Sequence, residues 1–162
     1  MVNILTNITA LAGAATLVNI VDFKKQVLDL SNSFAINGNP IISFPEGAGQ
    51  TNQAWLLTPQ ATAGTFTLQS VAAPSFSVSY TGAAAGVAQH SQAVASNTLA
   101  TVFKMTAVGN GTVNLIDTVT GTALTSWVNA NPGNWNDPTT PITMEVLNAP
   151  PSFMQSFTVQ SI

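Results

Sequence analysis

Three copies of one strand pattern, about 50 residues apart, restrict this chain to a few architectures. The first begins Thr16-Leu17-Val18-Asn19-Ile20-Val21, the second Thr65-Phe66-Thr67-Leu68-Gln69-Ser70, and the third Thr112-Val113-Asn114-Leu115-Ile116-Asp117. The copies lie 49 and 47 residues apart, and each opening Thr follows a small residue (Ala15, Gly64, Gly111). A second short run follows each: Val27-Leu28-Asp29-Leu30, Phe76-Ser77-Val78 and Ala123-Leu124-Thr125. Each unit closes on an aromatic strand, at Trp55-Leu56-Leu57-Thr58, Phe103-Lys104-Met105-Thr106 and Phe157-Thr158-Val159-Gln160. The runs are short, rich in β-branched and aromatic residues, and bounded by turn clusters such as Asn37-Gly38-Asn39-Pro40 and Gly109-Asn110-Gly111, the pattern of an all-β protein. The nearest approach to a helical segment, Ala83–Val94, contains Gly86 and mostly small residues. Three units of about four strands each predict one all-β domain over residues 1–162, a β-trefoil with repeats at roughly 15–60, 61–108 and 109–162. A three-bladed propeller is disfavoured, because propellers close with four or more blades.

Charge excludes several functions. Only 6% of the 162 residues are charged, against about 25% in ordinary soluble domains. There is no Arg, and Lys24, Lys25 and Lys104 are the only lysines. A nucleic-acid partner is not expected, because such binding neutralises several phosphates with cations. With no apolar stretch of membrane-spanning length, no membrane insertion is expected. Cysteine is absent, so disulfides and thiolate metal sites are excluded, and no cofactor is implied. Met1–Ala15 lacks a basic leading region and reads as part of the folded protein, which predicts a cytoplasmic location, compatible with export by a leaderless route. A surface built from Asn, Gln, Ser, Thr and Gly exchanges hydrogen bonds with neutral polyhydroxyl ligands without burying ions.

The first repeat carries four pieces in order: Val27-Leu28-Asp29-Leu30-Ser31-Asn32, Asn37-Gly38-Asn39-Pro40-Ile41, Phe44-Pro45 and Asn52-Gln53-Ala54-Trp55. This arrangement resembles the repeat of ricin B-type lectins, which ends in Gln-x-Trp, matched here by Gln53-Ala54-Trp55. The resemblance extends from about Ala15 to the end of the chain, strongly in the first repeat and weakly beyond it. It implies a lectin of the kind found in fungal fruiting bodies, with a defensive role, binding galactose or N-acetylgalactosamine. By resemblance the ligand residues are Asp29, whose carboxylate accepts hydrogen bonds from sugar hydroxyls, Phe44, whose ring lies against the apolar sugar face, and Asn52, whose amide donates. Gln53 and Asn37 are assigned to the same carbohydrate-binding set, Gln53 also as a tie for the loop, and Trp55 is expected in the core. One departure is Ile42, at a position where the family often has a polar residue.

The later repeats depart further. Ser77 and Thr125 occupy the position read as matching Asp29, and Glu145 replaces Phe44 in the third repeat. One family-type site, in the first repeat, is therefore expected, the other two repeats serving mainly to close the barrel. A second, non-standard sugar site is offered by the loop Asn129–Pro141, where Trp135 is flanked by Asn134, Asn136 and Asp137. Single sugars bind weakly, so useful avidity predicts a homodimer or larger assembly facing glycans of glycoproteins or glycolipids.

An enzyme is not expected. Glycoside hydrolysis needs two facing carboxyl groups, and the six acids (Asp22, Asp29, Glu46, Asp117, Asp137, Glu145) define no such pair by spacing. His90 is the sole histidine, and no nucleophile elbow or phosphate loop accompanies it. The competing expectation is a protein-binding trefoil, such as a protease inhibitor acting through the loops Asn129–Pro141 or Asn148–Phe153; a third is a storage or assembly protein.

Overall fold

A computed structural model describes residues 3–7, 13–128, 139–148 and 152–162. The strands are β1 (Asn3–Leu5), β2 (Thr16–Val21), β3 (Gln26–Leu30), β4 (Ile41–Pro45), β5 (Trp55–Pro59), β6 (Thr65–Ser70), β7 (Ser77–Tyr80), β8 (Ser91–Ser96), β9 (Phe103–Gly109), β10 (Thr112–Asp117), β11 (Thr122–Ser126), β12 (Thr140–Val146) and β13 (Thr158–Ser161). Every pairing among them is antiparallel.

Six strands close a barrel. β2 pairs with β5, β5 with β6, β6 with β9 and β9 with β10. A bridge between Val113 and Phe157 carries β10 to the segment of β13, which pairs back onto β2. Six of the other seven strands form three hairpins, β3–β4, β7–β8 and β11–β12, and the seventh, β1, pairs with β13. These join in a triangle, since β12 pairs with both β4 and β8, and a bridge from Pro40 to Val94 completes the third side. Each repeat thus supplies two barrel strands and one hairpin of the cap, as the sequence period predicts. Closure removes the barrel's free edges.

The core fills from alternate positions of the barrel strands. Val18 and Ile20 of β2 are fully buried while Leu17 is exposed, the period-2 signature of a half-buried strand. The closing aromatics Trp55, Phe103 and Phe157 are all fully buried, one per repeat. Trp55 also donates its indole Nε1–H to the carbonyl of Leu28, at 3.0 Å. Between β9 and β10 the chain turns through Asn110 and Gly111, both at positive φ (52° and 75°), the geometry that suits a two-residue hairpin turn to the strand twist.

The first and third repeats are joined by a buried ionic hub that the sequence pattern does not announce. Asp22, between β2 and β3, accepts hydrogen bonds from the hydroxyls of Ser43 and Ser126, both at 2.6 Å, and from the backbone N–H groups of Lys24 and Gln26. Lys24 places its ammonium 3.3 Å from the same carboxylate and donates to Ser126, to the carbonyl of Trp127 and to Thr140. Burial pushes the Lys24 pKa down, opposed by the charge of Asp22 and its hydrogen bond. Replacing Lys24 by Met leaves Asp22 buried without its cation, a change that costs about 3 kcal/mol. We expect the Lys24→Met melting temperature to fall by about 6–12 °C, measured by thermal unfolding.

Candidate functional site

The site is built on the β3–β4 hairpin and the turn before β5. Asp29 is the fourth residue of β3 and faces Ile42 across the hairpin, while Phe44, two residues on, faces Val27. On strands, residues two apart share a face, so Ile42 and Phe44 stand together. Asn52 and Gln53 lie on the single 3₁₀ turn Thr51–Gln53 that precedes β5. Asp29, Ser31, Asn32, Ile42, Phe44, Asn52 and Thr139 line one open cleft of about 240 Å³.

Asp29 is 3% exposed and its carboxylate lies at the floor of this cleft. Asn52 donates through Nδ2 to both carboxylate oxygens at 2.9 Å, and Gln53 donates through Nε2 to Oδ2 at 2.9 Å. An ionised carboxylate has about four acceptor positions, so these bonds leave capacity at Oδ1. Burial raises the Asp29 pKa, and the bonds from Gln53 and Asn52 pull it back down. Phe44 is half-buried and turned to the cleft rather than into the barrel.

Gln53 is buried and fastens the surroundings instead of lining the cleft. Its amide also donates to the carbonyl of Pro45 at 3.0 Å, and its Oε1 accepts from the backbone N–H of Gly47 at 2.8 Å. Two residues on, Trp55 bonds the carbonyl of Leu28, next to Asp29. The Gln-x-Trp motif therefore couples the barrel core to the strand that presents the carboxylate. Behind the rim, Asn39 donates to the carbonyls of Ser31 and Phe34 and holds the loop that carries Ser31 and Asn32.

Asn37 is placed elsewhere. Its Nδ2 donates to Asn97 Oδ1 and its Oδ1 accepts from the backbone N–H of Asn97, both at 2.8 Å, and Asn37 lines the corresponding cleft of the second repeat, of about 300 Å³. Strand register also identifies the true counterparts of Asp29. Asp29 faces Ile42, Ser79 faces Val94, and Thr125 faces Thr143 at matching hairpin positions. In the second repeat the matching residue is thus Ser79, not Ser77; both are uncharged. Phe44 corresponds to Ser96 and Glu145 by the same register. The proposed second site on Trp135, Asn134, Asn136 and Asp137 lies outside the described residues.

A cyclic arrangement emerges that a single repeat cannot reveal. Thr139 of the third repeat lines the first cleft, Asn37 of the first lines the second, and Gln89 and His90 of the second line the third. Each cleft is completed by a hairpin loop from another repeat, because the three hairpins pair edge to edge in the cap. Thr139 carries no sequence signal for this role; only cap closure brings it to Asp29. Asp22 and Asp29 do not face a common space, since Asp22 is consumed by the hub. Among the described residues, no group of three or more His, Cys, Asp or Glu side chains gathers in a way that could hold a metal ion.

No protein-family model matches the chain, and comparison with curated proteins gives no match. Solved structures do match. The agglutinin of Rhizoctonia solani superposes with a TM-score of 0.74 at 20% identity, covering 92% of this chain and 96% of that one. The designed threefold-symmetric protein ThreeFoil gives 0.74 at 13% identity, over 90% of this chain and 99% of that chain. SeviL, solved with an asialo-GM1 saccharide, gives 0.62 at 12% identity, over 90% and 97%. At such identities the likeness establishes the fold, which is a β-trefoil.

Proposed function

We propose that this protein is a lectin that binds a neutral sugar residue in the first-repeat cleft. The observation that carries the reading is the meeting of a carboxylate (Asp29), an amide bonded to it (Asn52) and a ring (Phe44) around one shallow cleft. Asp29 accepts from a sugar hydroxyl through the lone pair left at Oδ1, Asn52 holds the carboxylate and presents its own carbonyl oxygen, and Phe44 covers the apolar C–H face. The cleft, about 240 Å³, is smaller than typical ligand pockets of about 300–1,000 Å³, which suits one terminal sugar residue. Galactose or N-acetylgalactosamine is the ligand we propose, on the resemblance of the first repeat to ricin B-type lectins. Trefoil neighbours that include an agglutinin and a saccharide complex support a carbohydrate partner.

A single such site binds weakly, so the functional form we propose is an assembly that presents several first-repeat clefts to clustered glycans. A glycan array with the purified chain tests the reading: terminal galactose or N-acetylgalactosamine glycans should be retained, and an array without signal overturns it. Phe44→Ala should weaken binding about tenfold, the cost of uncovering roughly one apolar face. Because Phe44 lies off the core, its circular dichroism spectrum should match that of the parent. Calorimetric titration with methyl galactoside measures the effect, and an unchanged affinity removes the ring from the site.

A further inference from the structure

Two Asn-Gly pairs stand in this chain, Asn37-Gly38 and Asn110-Gly111. Such a pair carries chemistry of its own. The backbone nitrogen that follows an asparagine can attack the carbonyl carbon of its side chain. Glycine favours this step, because it has no β-carbon to block the approach and lets the backbone turn. Asn37 and Asn110 are both exposed, so access to water does not distinguish them. Their hydrogen bonds do.

Asn37-Gly38 is tied at both reacting groups. The Asn37 amide donates to Asn97 Oδ1 and accepts from the Asn97 backbone N–H, while the Gly38 N–H donates to the carbonyl of Ala95 at 2.9 Å. Neither group can turn towards the other until these bonds open. Asn110-Gly111 is the two-residue turn between β9 and β10, at φ 52° and 75°. The contacts that close this turn bypass the pair: Thr112 faces Gly109 across the hairpin, and its hydroxyl donates to the Gly109 carbonyl at 2.7 Å. Among the described residues, no hydrogen bond holds the Asn110 amide, and the Gly111 N–H donates to no carbonyl. The turn lies at the barrel end away from the cap, since β9 starts after one cap hairpin and β10 runs into the next. Gly111 faces β1 there, with Ile4 Cγ2 3.5 Å from the place a β-carbon would take.

We propose that Asn110 is a site of self-modification, where the turn converts with water into aspartyl and iso-aspartyl forms while Asn37 stays intact. The Gly111 nitrogen loses its proton and bonds to Cγ of Asn110. The Cγ–Nδ2 bond breaks, ammonia leaves with that proton, and a cyclic imide remains. Water then adds to either imide carbonyl, and ring opening gives an aspartyl peptide or an iso-aspartyl one whose main chain runs through Cβ and Cγ. Both products carry one more negative charge than the parent. The iso-aspartyl form also lengthens the turn by one main-chain carbon, beside Ile4 of β1. Nothing in this inference depends on sugar binding, because neither residue lines the clefts described above.

Peptide mapping by mass spectrometry tests the proposal, after the whole folded chain has stood in mildly alkaline buffer. The Asn110 peptide should give two new isomers, each heavier by the exchange of an amide NH₂ for OH, and ion exchange should show the added charge. Conversion at Asn37 should be at least about tenfold slower, because the three bonds that tie its pair must open first. In denaturant both pairs should convert at similar rates, since the fold no longer selects between them. Asn97→Ala removes one of the three ties and should speed conversion at Asn37 about threefold to tenfold. Equal rates at the two pairs in the folded chain overturn the proposal. So does an Asn110 that stays intact in the folded chain while the denatured chain converts, and an Asn37 rate unmoved in Asn97→Ala overturns the lock.

Discussion

Asp29→Ala is expected to remove sugar binding at the first repeat, with a weakening of roughly 10-fold to 150-fold. One charge-assisted hydrogen bond from a sugar hydroxyl to the open position at Oδ1 accounts for about 1.5–3 kcal/mol. The fold should survive, because Gln53 keeps its bonds to the carbonyl of Pro45 and the N–H of Gly47 when the carboxylate is removed. Titration calorimetry with methyl galactoside measures the loss, and undiminished affinity in a folded Asp29→Ala protein refutes the assignment. The same carboxylate predicts a pH dependence. Burial raises its pKa above the ordinary value of 3.8, against the opposing bonds from Gln53 and Asn52. Sugar binding needs the ionised acceptor, so affinity should fall on acidification, beginning at a higher pH than for an exposed aspartate. The sign for stability is the reverse. The folded state holds the proton more tightly than the unfolded chain, so the Asp29 contribution favours the fold below the raised pKa and fades as pH rises through it. In Asp29→Asn both dependences should disappear.

Trp55→Ala should destabilise the protein by about 3–5 kcal/mol, as for other large aromatic truncations in a core. Trp55 is fully buried and also satisfies the carbonyl of Leu28. For a chain of this size that lowers the melting temperature by about 10 °C or more. Trp55→Phe is the informative partner. Phe103 and Phe157 fill the same role in the other repeats, so a ring at this place is tolerated, and the loss should be near 1 kcal/mol for the missing hydrogen bond plus a small packing term. Because Leu28 adjoins Asp29, Trp55→Phe should also loosen sugar binding slightly, whereas an isolated core role would leave affinity unchanged. Chemical denaturation and calorimetry on the same variant distinguish the two.

Several features of the site were legible in the chain itself. The resemblance carried by Asp29, Phe44 and Asn52-Gln53-Ala54-Trp55 singled out residues of one repeat, of which Asp29, Phe44 and Asn52 line one cleft. A local motif suffices there because these residues lie inside one supersecondary unit. Asn37 shows where that logic stops: it belongs to the first-repeat motif in sequence, yet its loop reaches over to Asn97 and the second cleft. The two-residue difference between Ser77 and Ser79 has a similar origin, since register is set by cross-strand pairing with Val94 and not by distance from the preceding strand.

The number of repeats, the all-β class and the core aromatics follow from the sequence, because a period of about 50 residues and alternating apolar positions are properties of the linear chain. The hub of Asp22 and Lys24, the arrival of Thr139 beside Asp29 and the pairing of His90 with Glu145 follow only from the closed tertiary structure. Each joins residues from different repeats, separated by tens of residues along the chain. Such neighbours are set by which hairpin edges pair when the cap closes, and no local pattern encodes that.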